Sequence, residues 1–195
     1  MKRQEVFDAP SCDDSILAAN CAHGDAASQE ELYKRYGGRI LSMCLRYSRD
    51  LPEAEDLMHD AFVKVFHRIG KFQYTGPGSL YAWMSRVTIN LCFDSSKKRK
   101  KLAETLTDSM TGFDIADETD TGDLPDIPPN KLREMVEGLP EAYGTVFKLY
   151  VVDGLSHKEI GDMLGIKEST SSSNFARARA LLMRKIKEFV KQDEK

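Results

Sequence analysis

The sequence predicts an all-α protein of two small helical domains joined by an acidic flexible linker, the C-terminal domain containing a helix-turn-helix. Apolar residues recur at three- and four-residue spacing in several segments, and the period-two alternation of half-buried strands is missing throughout. Between residues 102 and 130 stand eight carboxylates (Glu104, Asp108, Asp114, Asp117, Glu118, Asp120, Asp123 and Asp126) with no Lys or Arg. With those eight set aside, the formal net charge of −3 becomes +5, so two mildly basic pieces flank a polyanionic connector.

Composition sets the outer limits. A chain of 195 residues has room for one ordinary domain or two small ones. Hydrophobic content of 41% beside 30% charged residues argues against global disorder. No apolar run approaches the roughly 18 residues that span a bilayer. The opening MKRQEVFDAPSCDDS is basic but lacks the apolar core of a secretory signal. A cytoplasmic protein without membrane insertion is expected. Cys12, Cys21, Cys44 and Cys92 fit no close-spaced ligand pattern, and neither CxxC nor HxxxH accompanies Cys12, Cys21 and His23. Reduced thiols are expected, with no metal and no cofactor.

Residues 1–25 read as an N-terminal arm. In SQEELYKRYGGRILSMCLRYS, Leu32, Tyr36, Ile40, Met43 and Tyr47 keep helical spacing, while Gly37 and Gly38 predict a bend or break. The next helix opens with Pro52, Glu53, Glu55 and Asp56, an acidic first turn that suits the helix dipole. Its apolar line is Leu57, Ala61, Val65 and Ile69, with Phe62 and Phe66 alongside and Gly70 as a stop. QYTGPGS is a loop, and Ser79 can cap the next helix.

Residues 79–101 are expected to form one helix. Leu80, Met84, Val87 and Leu91 make one apolar stripe, and Ala82, Ile89 and Phe93 a second, so two faces are expected to be buried. Between them, within about 60° on a helical projection, lie Trp83, Arg86, Asn90 and Lys97. An aromatic face, an amide and two cations in line can stack an unpaired base, bond its edge and hold its phosphates, aided by the KKRKK tail. The plainer alternative is a core tryptophan followed by a solvated basic helix end.

Beyond the linker, residues 132–137 and 141–152 are helical around a Gly138-Leu139-Pro140 break. Ser156 and Glu159 form a capping box for a short helix with Ile160, Met163 and Leu164 inward. Gly165 is placed to end it left-handed, and Ile166 returns to the core. A second helix starts at Glu168–Ser169 with Ser171, Phe175, Ala178 and Leu182 inward. Its early positions, Ser169, Thr170, Ser172, Ser173, Asn174 and Ala176, then Arg177 and Arg179, are expected to meet DNA. Hydroxyls and amide would read base edges, and arginines would bind phosphates. The alternative is a helical hairpin used only for packing.

With both halves in view, the sequence resembles an extracytoplasmic-function sigma factor of the sigma-70 family. AEDLMHDAFVKVFHRIGKF looks like the family's segment that grips the clamp helices of core RNA polymerase. SLYAWMSRVTINLCFDSSKKRKK looks like its promoter-melting, minus-ten-reading helix. LPEAYGTVFKLYVVDGLSHKEIGDMLGIKESTSSSNFARARALL looks like its minus-thirty-five domain. The resemblance implies sigma domain 2 at 26–101, a linker at 102–130 that runs through polymerase channels, and sigma domain 4 at 131–195.

It also implies site residues. Phe72, Trp83, Arg86 and Asn90 would hold an extruded minus-ten base, with Asp94, Lys97, Lys98 and Arg99 further along the DNA. Asp56, His59, Asp60, Phe62 and Lys64 would bind polymerase, His59 standing where Gln is more usual. The implied partners are core RNA polymerase through its clamp helices and flap, promoter DNA as duplex and as non-template single strand, and an anti-sigma factor. Ser169, Ser172 and Asn174 replace the family's frequent Gly, Lys/Arg and Arg, so isolated binding by the C-terminal domain is expected to be weak. No catalysis is implied. The competing class is a stand-alone helix-turn-helix regulator of duplex DNA, which needs neither a clamp-binding segment nor a Trp-basic helix. An enzyme using Cys/His chemistry lacks a paired nucleophile and base.

Overall fold

The computed structural model describes residues 13–94, 96–108 and 127–193, and every regular element among them is helical. The chain divides at Asp94 into two compact units. Cys12 and the middle of the acidic linker lie outside the described residues.

The N-terminal unit holds α1 (Asp14–Ala22), α2 (Ala26–Leu45), α3 (Leu51–Arg68) and α4 (Ser79–Phe93). Three aspartates cap the first three helices: Asp13 accepts from the Ser15 amide, Asp25 from Ser28 and Asp50 from Glu53, at 3.1, 2.8 and 2.9 Å. α2, α3 and α4 pack on one another around Leu32, Ile40, Met43, Ala61, Val65, Ile69, Leu80, Met84 and Ile89. The helix does not break at Gly37-Gly38: α2 runs through both glycines. Two glycines in a helix cost about 1 kcal/mol each; the tertiary packing of α2 outweighs that preference.

The N-terminal arm is more than a tail. α1 buries Leu17, Ala18 and Cys21 against the rest of the unit. The Tyr36 hydroxyl donates to the Asp14 carboxylate at 2.7 Å, and Arg35 pairs with the same carboxylate at 3.2 Å. Burial, then the Asp14 acceptor, pushes the Tyr36 phenol up to about 12, so it remains a donor. Nor does Ser79 cap α4. Gly78, at φ +80°, is the N-cap, and the Ser79 hydroxyl accepts instead from the Thr75 amide at 3.3 Å.

The expected 79–101 helix breaks at Asp94. Phe93 is locked edge-on against Tyr47 at 5.0 Å, and Asp94 pairs with Lys64 at 3.1 Å. Serines then follow, which favour helix ends over interiors. A new helix, α5 (Ser96–Asp108), begins the C-terminal unit. The first seven positions expected to be linker, 102–108, are therefore helical, with Leu102 and Leu106 buried against α7 (Glu141–Phe147), α8 (His157–Leu164) and α9 (Glu168–Asp193).

α6 (Pro129–Glu137) also packs on α9. After α7 a π-helical turn, Lys148–Val152, leads to the helix-turn-helix. The capping box is present: Ser156 Oγ accepts from the Glu159 amide at 3.2 Å, and Glu159 accepts from the Ser156 amide at 2.9 Å. Gly165, at φ +73°, turns the chain so that its own amide and that of Ile166 reach the Gly161 carbonyl, at 2.9 and 3.0 Å. Gly161 is the tight point. A Cβ there would sit 2.8 Å from the Ile166 carbonyl oxygen, which is backbone and cannot swing aside. Gly161→Ala should therefore destabilise the C-terminal unit by about 1–3 kcal/mol through overpacking, despite alanine's better helix propensity. Urea unfolding of the full chain checks this; a stabilised variant would mean the turn has room for a methyl group.

Candidate nucleic-acid interface

Phe72 leaves the 3-10 turn Ile69–Lys71 in extended backbone, and Trp83 sits one turn inside α4. Their rings meet at 5.4 Å between centroids, tilted by 47°. Both are half-buried. They border an open depression of about 230 Å³ lined also by Lys71, Gln73, Thr75 and Arg86. The site thus combines two aromatic rings with a carboxamide, a hydroxyl, a guanidinium and an ammonium group. A flat aromatic ligand could stack here while its polar edge meets fixed donors and acceptors. Trp83 is neither a core residue nor free on the surface. Asn90 is exposed nearly two turns along α4, outside this lining. Lys71, Gln73 and Thr75 were not anticipated; the available signal was a polar loop beside the Trp helix.

Lys97 belongs to α5 of the C-terminal unit, and the side chains of Lys97, Lys98 and Arg99 lie outside the described part of the structure. Asp94 and Lys64, expected on DNA and polymerase surfaces respectively, are ion-pair partners between the end of α4 and α3.

On the outer face of α3, Asp56, His59 and Asp60 are exposed together with Val63, which is 54% exposed and was missed. Their spacing places them on one stripe. His59 stacks parallel to Tyr33 of α2, with 3.3 Å between Nε2 and the phenol oxygen. Phe62 requires correction. It is only 3% exposed and packs against Tyr33 at 4.6 Å and Phe66 at 6.0 Å, so it supports this face from beneath. The apolar period of α3 already contained that answer, since Phe62 adjoins Ala61 and Val65.

On α9, Ser169, Ser172 and Arg179 are exposed, and Ser173 and Ala176 are half-buried. Thr170, Asn174 and Arg177 do not face outward: they are 5%, 0% and 6% exposed. Asn174 Nδ2 donates to the Thr170 carbonyl at 2.8 Å and to the Leu106 carbonyl of α5 at 3.2 Å. The sequence placed α5's residues elsewhere, so its cover over α9 was invisible. Ser171 and Ala178 are buried as expected, and Leu182 with them. Phe175 is half-buried, in an aromatic group with Phe147, Tyr150 and His157. Tyr150, Val151 and Val152 beside it are exposed and were also missed.

Among the described residues no three His, Cys, Asp or Glu side chains are grouped to hold a metal, and no helix is long and apolar enough to cross a membrane. Cys21, Cys44 and Cys92 are buried thiols that form no disulfide. Burial pushes the Cys21 thiol up, while a hydrogen bond with Cys92 brings Cys44 down. His23 is engaged locally, its Nδ1 2.8 Å from the Ala19 carbonyl oxygen.

Residues 32–102 match the family model of Sigma-70 region 2, and residues 130–182 match that of Sigma-70, region 4. The chain belongs to the sigma-70 family. Its similarity to extracytoplasmic-function sigma factors runs through both regions. It is 29% identical to the ECF RNA polymerase sigma factor SigE of Mycolicibacterium smegmatis, over 89% of this chain and 68% of that protein. It is 28% identical to SigW of Bacillus subtilis, over 85% of this chain and 92% of the relative. Against the sigma-E factor of Escherichia coli K12 the identity is 26%, over 92% and 97%. A solved structure of CnrH in complex with the cytosolic domain of CnrY shares the fold, with a TM-score of 0.52 and 21% identity over 90% of this chain and 97% of that one. The region 2 match crosses Asp94 into α5, so the sigma-70 sequence pattern continues where the helix breaks.

Proposed function

We propose that this sigma factor recruits core RNA polymerase through the outer face of α3, opens promoters through the Phe72–Trp83 depression, and reads upstream duplex DNA with α9. The single observation that carries the reading is the Phe72–Trp83 site inside the region 2 match. A duplex-binding regulator has no use for an aromatic depression sized to a flat ring, whereas promoter melting supplies unpaired bases. Extruding a base costs a few kcal/mol. Rings already tilted into place offset that cost without reordering the protein. Trp83 and Phe72 stack the base, while Arg86, Gln73 and Thr75 meet its edge or the adjoining phosphate.

Asp56, His59, Asp60, Tyr33 and Val63 form the proposed polymerase contact, acidic at its rim and apolar at Val63. Its partner should accordingly be basic with an apolar centre. The exposed Tyr150-Val151-Val152 edge of the C-terminal unit suits the polymerase flap, and the acidic linker suits channels lined with cations. The protein contributes no chemistry of its own; polymerase makes the bonds. CnrH was solved with the cytosolic domain of CnrY, which supports an anti-sigma partner for this chain as well.

The deciding experiment is transcription by purified bacterial core polymerase, with and without the protein, on a library of genomic fragments. Discrete starts that require the protein and share paired upstream elements are expected. Active core polymerase that binds nothing and gains no starts would reduce the reading to a duplex-binding regulator, which binds its site alone.

Two variants separate the surfaces. Trp83→Ala with Asn90→Ala should leave polymerase association intact and lower open-complex formation by about tenfold or more, since stacking contributes about 1–3 kcal/mol per base. Permanganate reactivity of melted thymines reads this, and unchanged reactivity would move the base site elsewhere. Asp56→Arg with Asp60→Arg should weaken association by about tenfold or more by setting like charges against a basic partner. An unaltered pull-down would exclude this face.

A further inference from the structure

The N-terminal helix α1 has no part in the proposed DNA or polymerase contacts, yet it packs on both flanks of the base site's loop. Before the loop, α1 packs against the 3-10 turn Ile69–Lys71, from which Phe72 directly emerges. Within the loop, desolvation and then the nearby Asp13 and Asp14 carboxylates push the Tyr74 phenol up, so this exposed side chain lies beside the start of α1. After the loop, α1 packs against α4 and reaches it again through a relay of side chains. Asp14 accepts from Tyr36 at 2.7 Å, Tyr36 stacks on Tyr81 at 5.9 Å, and the Arg39 guanidinium caps the Tyr81 ring at 3.5 Å. Tyr81 stands two residues before Trp83 on α4.

We propose that α1 is a positioning element of the base site, in which its packing and the Asp14–Tyr36 contact fix the two flanks of the 72–79 loop and so set the Phe72–Trp83 angle. The inference rests on the base-site reading. The loop has reason to need a brace: Gly76 and Gly78 both lie at positive φ, where backbone freedom is largest, and Tyr74 and Pro77 are exposed. Only the turn before the loop and the helix after it are anchored in the core, at Ile69 and Leu80. A stacking site loses most of its advantage if its rings must be re-aligned for every base. One short helix packs on the turn before the loop and on the helix after it, and its Asp14 reaches the latter through Tyr36 and Tyr81.

The test uses the full chain and its one tryptophan, which lies in the site. In Asp13→Asn with Asp14→Asn, Trp83 should become more accessible to acrylamide quenching. Permanganate-detected opening by the holoenzyme should fall by about tenfold, the scale of a mispositioned group, while polymerase association stays unchanged. Asp14→Glu should recover part of the opening. Tyr36→Phe removes only the hydroxyl that donates to Asp14, keeps the ring, and should shift both readouts in the same direction by less. Wild-type quenching and opening in these variants would overturn the proposal, and Tyr36→Phe alone decides if the double variant fails to fold. Trp83→Ala run alongside separates the two readings. Opening that needs Trp83 but ignores the brace sinks the positioning role alone. Opening that ignores Trp83 sinks the base site, and quenching then still decides whether α1 sets the ring geometry.

Discussion

The N-terminal unit depends on one constraint: α4 must be buried on two faces and still leave one edge exposed. Leu80, Met84 and Val87 fill one side, and Ile89, Cys92 and Phe93 the other. Burying such side chains contributes about 1.5–3 kcal/mol each, so the helix cannot rotate without losing much of the unit's stability. Whatever remains between the stripes is held on that helix at a fixed angle. Trp83, Arg86 and Asn90 occupy that edge. Rigidity there comes from residues that never meet a ligand, which is how a binding site is pre-organised by a core.

That constraint also accounts for the break at Asp94. A helix buried on two faces must end where its neighbours end. Phe93 against Tyr47 and Asp94 against Lys64 mark the last contacts with α2's far end and α3. Beyond them the sequence runs SSKKRKK, with no apolar residue before Leu102. α5 instead uses Leu102 and Leu106 on the C-terminal core. The tertiary partners on each side, more than local propensity, decide where one helix becomes two.

Much of the architecture was legible because it is written in local chemistry. The Ser156–Glu159 capping box, the left-handed Gly165 and the three-four spacing of Leu32, Ile40 and Met43 need only a short window to be read. The Trp83–Arg86–Asn90 edge was legible for the same reason. The features that escaped the sequence depend on contacts between distant segments. Phe62 looked available because its helix carries acids around it, yet Tyr33, twenty-nine positions earlier, closes over it. Asn174 looked outward until the Leu106 carbonyl, sixty-eight positions away, became its partner. α1 was unread because its signal is three small burials and two carboxylates, with no strong amphipathic period.

The cover over Asn174 has its own energetics. Leu102 and Leu106 contribute about 1.5–3 kcal/mol each when buried. Against this stands polar surface sealed beneath them: the Asn174 Oδ1 is buried without a hydrogen-bond partner in the protein, a loss of about 1–3 kcal/mol. Thr170 and Arg177 are also withdrawn from water. Ordering α5 itself opposes the contact further. Around α4 polar groups are buried too: Thr88 Oγ1 donates to the Met84 carbonyl at 2.9 Å, and Ser85 Oγ is buried without a hydrogen-bond partner in the protein. The two units thus differ in how they hold the groups they carry: α4 leaves one edge exposed between buried faces, whereas the polar side of α9 lies under a second helix, α5.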